Sequence, residues 1–225
     1  MSRKKDPEVD AASQAGWTSA CQLYAHLLGG GTLAALPPGA LRLDPGEVGY
    51  GESVAGYARF YGVDVTYSQN SSFWFGSAAF VAAGLAADAI GNASARNRAQ
   101  RMAASQWRDH AHVRTMLTNR RLLCDYQNQW LNFWHEGIIE FAFDAPSWSL
   151  VLRYQSGSPL MLHGPAVPWF AVAVAHIVYG PHGMRLPGFA PLAQATAYRR
   201  QAIAGEIVGQ ADSGDRKALP QNPTP

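Results

Sequence analysis

Residues 112–164 read HVRTMLTNRRLLCDYQNQWLNFWHEGIIEFAFDAPSWSLVLRYQSGSPLMLHG. Aromatic, β-branched and leucine-rich runs alternate there with turn signals at Thr118-Asn119, Gln127-Asn128, Ala145-Pro146 and Gly157-Ser158. About four to six short strands without a helical run between them predict an antiparallel meander. Asn119 tolerates the left-handed conformation of a tight hairpin, which would turn Leu117, Leu122 and Cys124 to the core and Arg120 or Arg121 to water.

Downstream, GPAVPWFAVAVAHIVYG (164–180) has prolines suited to a first helical turn and a glycine suited to the end. It is apolar on nearly every side, so the helix should be buried, plugging the open end of a curved sheet. At roughly 15 residues it is short of the ~20 that cross a bilayer. Residues 181–210 read as an extension with one further helix, and 211–225 as a disordered tail. Upstream, residues 1–13 are polar and expected to be disordered. Trp17, Cys21, Tyr24 and Leu28 then recur at helical spacing before three glycines. Residues 14–43 are thus a small N-terminal helix and a Pro-rich linker. From Glu47 to Tyr67 the pattern predicts two short strands broken near Gly62.

The opening Leu43-Asp44-Pro45-Gly46-Glu47, the hairpin residues Thr118, Asn119, Arg120, Arg121, Leu122 and Leu123, and the closing apolar helix resemble bacterial pleckstrin-homology-like (PH-like) and GRAM-like domains. The resemblance covers about residues 44–62 and 110–180, and the whole chain resembles a bacterial family sharing a helical insertion. It implies an α+β fold: an antiparallel PH-like curved sheet of about six to seven strands, closed by a C-terminal helix, within a domain spanning 44–180. It also implies a binding module rather than an enzyme.

The expected insertion, about 72–108, includes NSSFWFGSAAFVAAGLAADAIGNASARNRAQRM (70–102). As a membrane span, Phe73–Gly91 would carry Asp88 and little insertion energy, and a single crossing would separate two halves of one sheet. A helical insertion fits better. Phe80, Gly84, Ala87 and Gly91 share one face, whose small residues allow close approach of the domain's own sheet or of a second copy. Arg98, Arg101 and Arg108 form a stripe with Arg96 beside it. Two roles stay open for that stripe: ion pairs with the acidic rim of Asp125, Glu136, Glu140 and Asp144, or contact with anionic headgroups or phosphates. Phe73, Trp74 and Phe75 upstream are either core residues or interfacial anchors.

Composition narrows the classes. The net charge of +2 argues against nucleic acid, and only three of 18 basic residues are lysines. Two distant cysteines form neither a disulfide framework nor a zinc pattern. The basic N-terminus lacks the apolar run of a signal peptide, so a reducing cytoplasmic setting is expected, with a peripheral membrane position compatible. His110 and His112 would share a strand face as a metal pair without an obvious third ligand. His135-Glu136 lacks the second histidine of a zinc-protease helix, and the segment reads as strand. No nucleophile elbow, phosphate loop or dinucleotide fingerprint is present. The expectation is a non-catalytic module without cofactor or metal, docking on anionic lipid or a protein partner. The alternative is an assembly subunit self-associating through Phe80, Gly84 and Gly91.

Overall fold

A computed structural model describes residues 7–62 and 105–215, with side chains for 8–62 and 105–202. Helix α1 (Pro7–Leu28) is followed by strand β1 (Gly49–Tyr61). Six further strands come next: β2 (Gln106–Thr118), β3 (Arg121–Tyr126), β4 (Gln129–Trp134), β5 (Ile138–Asp144), β6 (Ser149–Tyr154) and β7 (Leu160–His163). Helix α2 (Val167–Tyr179), two 3₁₀ turns and helix α3 (Ala190–Asp215) complete the described residues.

The strands form one seven-stranded antiparallel sheet in the order β4-β3-β2-β1-β7-β6-β5. The first β-rich stretch and the later meander therefore belong to a single sheet. β1 joins its halves, pairing with β2 from Gly49↔Thr118 to Tyr61↔Gln106 and with β7 from Gly56↔His163 to Arg59↔Leu160. Register shifts between Gly49 and Gly51 and between Tyr57 and Arg59 interrupt the β1–β2 ladder. Asp109 takes a left-handed φ of 57° opposite the second shift. Such irregularities bend and twist a sheet locally. Ala55, Tyr57, Val113, Leu117, Leu122, Cys124, Phe133, Leu150, Leu152, Leu160 and Leu162 belong to one buried core with α2.

Helix α2 is the apolar helix read from sequence, 13 residues long. It packs on β5 and β6 while α1 and the first 3₁₀ turn pack against it, which is why an all-apolar circumference suits it. Gly180, at φ 60°, stops it, and its N–H donates to the His176 carbonyl. A Cβ on Gly16 would sit 2.0 Å from the Pro165 carbonyl oxygen, so a glycine permits α1 to approach the start of α2.

Three expectations are corrected. Residues 7–13 are helical, since Pro7 begins α1 and Glu8 and Asp10 favour its positive end. The buried stripe of α1 is Ala20, Cys21, Tyr24 and Leu27, while Leu28 is exposed. Helix α3 continues to Asp215, into the expected tail. The first of the two expected strands is β1, 13 residues long and ending at Tyr61 beside the expected break near Gly62, and the second, after Gly62, falls outside the described residues.

Candidate functional site

The two quoted motif segments meet. Asp44-Pro45-Gly46-Glu47 forms a turn with Gly46 at φ 74° and the Glu47 N–H donating to the Asp44 carbonyl (2.9 Å). Proline second and a left-handed glycine third are what a type II turn requires. Its Glu47 side chain is fully buried and accepts from Arg121 Nε (2.9 Å), Arg121 Nη2 (2.7 Å), Thr118 Oγ1 (2.7 Å) and the Asp44 N–H (3.0 Å). Arg121 Nη2 also reaches Asp44 at 3.2 Å, Nη1 donates to Asn132, and the guanidinium lies 4.5 Å from the Trp134 ring centre. Burial raises the Glu47 carboxyl, but hydrogen bonds from Arg121, the Asp44 amide and Thr118, with the Arg121 charge, outweigh it and hold the group below its ordinary value.

The clasp divides the two hairpin arginines: Arg120 is the exposed one, and Arg121 faces a buried carboxylate whose residue sits 74 positions earlier in the chain. Arg120 donates to the Pro45 carbonyl (3.1 Å). Asn119 is not left-handed: its N–H donates to the Val48 carbonyl, its Oδ1 accepts the Val48 N–H, and its Nδ2 donates to the Gly46 carbonyl. The residue straps the turn to β1. The Gln127-Asn128 hairpin has the left-handed pair instead, at φ 53° and 61°.

His135 opens a short 3₁₀ turn, not a strand, and its Nε2 donates to the Thr118 carbonyl (3.0 Å). Burial lowers its pKa, against the opposing pull of that bond and of the Glu47 charge.

A second grouping lies across β2, β1 and β7. Gly56 is opposite both His112 and His163, whose rings approach edge-on at 6.3 Å. A Cβ on Gly56 would meet His163 Cε1 at 2.1 Å. Burial, then the charges of His112 and His110, push His163 below its usual pKa. His163 is the neighbour that strand spacing in β2 could not reveal. Among the described residues, no group of three His, Cys, Asp or Glu side chains is placed to hold a metal.

The third grouping is at the root of residues 62–105. Phe60 and Trp107 stack edge to face at 5.3 Å. Arg108 Nε donates to the Tyr61 carbonyl (3.1 Å), its guanidinium lies 5.7 Å from the Tyr61 ring, and the Tyr61 hydroxyl donates to the Asp109 carboxylate (3.0 Å). Arg108 is thus on strand β2 and not on a helical arginine stripe, because the ladder with β1 extends to Gln106. Arg114 bonds Glu52 at 2.7 Å over the Trp130 ring. From the acidic rim, Glu140 pairs with Arg153 (3.3 Å).

Phe73, Trp74, Phe75, Phe80, Gly84, Gly91, Arg96, Arg98 and Arg101 lie outside the described residues. Among the described residues, no helix is long and apolar enough to cross a membrane. No family model matches this chain, and no curated protein sequence matches it.

Proposed function

We propose that this chain is a PH-like, non-catalytic docking module that presents residues 62–105 to an anionic membrane surface. One observation carries the reading. β1 and β2 stay paired out to Tyr61↔Gln106, so the 44 intervening residues leave and return at neighbouring points on one end of the sheet. That segment contains the aromatic run Phe73-Trp74-Phe75 and the arginines Arg96, Arg98 and Arg101. Arg108 and the Phe60–Trp107 pair, at its root, extend the same chemistry onto the sheet. Apolar rings that enter the headgroup layer and cations that pair with acidic lipid are the two terms of interfacial binding.

The turn and hairpin motifs play a different part. Glu47, Thr118, Arg121 and His135 engage one another and hold the entry of β1 to the β2–β3 turn, which supports a structural role for the residues that carry the PH-like resemblance.

Vesicle sedimentation tests the proposal. The chain should pellet with phosphatidylcholine vesicles containing phosphatidylserine and stay in solution with phosphatidylcholine alone. At ~1 kcal/mol per basic residue, Arg96→Ala, Arg98→Ala and Arg101→Ala together should weaken binding about a hundredfold. Equal recovery in the supernatant under all these conditions would refute it.

A further inference from the structure

Trp148 has a φ of 51°, a left-handed conformation that a bulky aromatic residue rarely adopts. The turn imposes it: the Trp148 N–H donates to the Ala145 carbonyl (3.2 Å), and its own carbonyl accepts the Gly164 N–H (3.0 Å). The indole comes to rest against Trp17 of α1, ring centres 6.1 Å apart and planes 30° from parallel. These rings line a groove of about 530 Å³ together with Asp10, Gln14, Pro146 and Pro191, between the first turns of α1, the β5–β6 turn and the start of α3. Strain of this kind persists only where the surroundings enforce it, and it recurs at ligand clamps.

We propose that the groove binds the Lys217–Pro223 segment of a second copy of this chain. Flat indole and proline faces suit a polyproline ligand, which is extended before binding and costs little to order. Gln14 supplies amide donors to the rim for the ligand's carbonyls, which have no partners within such a helix. Exposed Asp10 supplies a negative charge.

The chain contains that ligand chemistry at residues 216–225, RKALPQNPTP, which lie outside the described residues. Three residues per turn bring Lys217, Pro220 and Pro223 to one edge of a polyproline helix, a cation followed by two ring faces. Asp10 is the complement for Lys217.

Reach excludes the chain's own groove. α3 begins beside the groove at Pro191 and runs 26 residues to Asp215, about 39 Å at ~1.5 Å per residue. Pro223, eight residues further, can return only about 25 Å at ~3.1 Å per residue. The segment must enter another copy.

The test uses the full chain and a fluorescein-labelled peptide of residues 216–225, followed by anisotropy. Saturable binding is expected, weakened about tenfold or more when the peptide carries Pro220→Ala and Pro223→Ala, or when the chain carries Asp10→Lys. A peptide with Arg216→Glu and Lys217→Glu should restore binding to the Asp10→Lys chain, a rescue that a folding defect would not show. Light scattering should show the full chain self-associating with concentration, and a chain ending at Asp215 remaining monomeric. Absence of saturable binding, equal binding of a scrambled peptide or of a proline-rich peptide without a cation, failure of the charge swap, or unchanged self-association after truncation would each overturn the proposal.

Discussion

Replacing Glu47 by alanine probes the clasp that joins the opening turn to the β2–β3 hairpin. The carboxylate has no exposed side-chain area, and the Arg121 side chain is 11% exposed. The substitution removes four hydrogen bonds and leaves that guanidinium with Asp44, itself half-exposed at 3.2 Å, and Asn132. Breaking a buried pair from one side costs about 3–5 kcal/mol, and the surviving Asp44 contact puts the expected loss near the lower bound, about 3 kcal/mol. With a urea dependence of ~2 kcal/mol per molar, the midpoint should fall by about 1.5 M at unchanged slope. The double variant Glu47→Leu/Arg121→Met, which leaves no buried unpaired charge and only the half-exposed Asp44 without its partner, should recover most of the loss. A Glu47→Ala loss below about 1 kcal/mol, or a double variant less stable than either single one, would show that the pair contributes nothing as a buried unit.

Other expectations follow from particular contacts. Gly56→Ala forces the His163 ring aside and should cost about 1–3 kcal/mol, read as a lower thermal midpoint; an unchanged midpoint would contradict the close approach. Gln127→Asn with Asn128→Gly places the preferred pair in a left-handed two-residue turn and, by relieving part of the ~1–2 kcal/mol left-handed cost, should stabilise the hairpin by about 1 kcal/mol in urea titration. The folded-state pKa values of His135 and His163 are depressed, so the unfolded chain takes up their protons first as pH falls. Their contribution is complete above the ordinary value near 6.5 and is lost on acidification through the depressed values, so stability should fall from pH 7.5 to 5.5. His135→Gln or His163→Gln should flatten that slope, and a flat parent profile would refute the assignment. Burial pushes the Cys124 thiol up to about 12, so it should resist thiol reagents in the native protein and react on unfolding.

The meander was legible because its signals are local. Runs of Leu, Phe and Trp alternate with turn residues, and the turns at Gln127-Asn128 and Ala145-Pro146 stand where those residues imply. The buried apolar helix was legible for the same reason. The partners of Arg121 and His112 were not, since Glu47 and His163 are brought to them by sheet order and leave no spacing signature. Asn119 carried a correct turn signal with a different mechanism, holding Val48 and Gly46 through its amide. Arg108 looked like one more arginine of a helix because helical spacing and strand pairing compete over residues 106–108, and the ladder with β1 decides between them. A glycine in a strand marks a close approach, and Gly56, between two histidines, was the one local hint of the cross-strand row.

Because Tyr61 and Gln106 are paired, residues 63–104 can be replaced by a short Asn-Gly turn without separating β1 from β2. Sedimentation of this shortened chain with phosphatidylserine-containing vesicles tests the docking account most directly. Cooperative unfolding like that of the parent and complete loss of vesicle binding are expected. A folded, shortened chain that pellets with those vesicles as the parent does would contradict it.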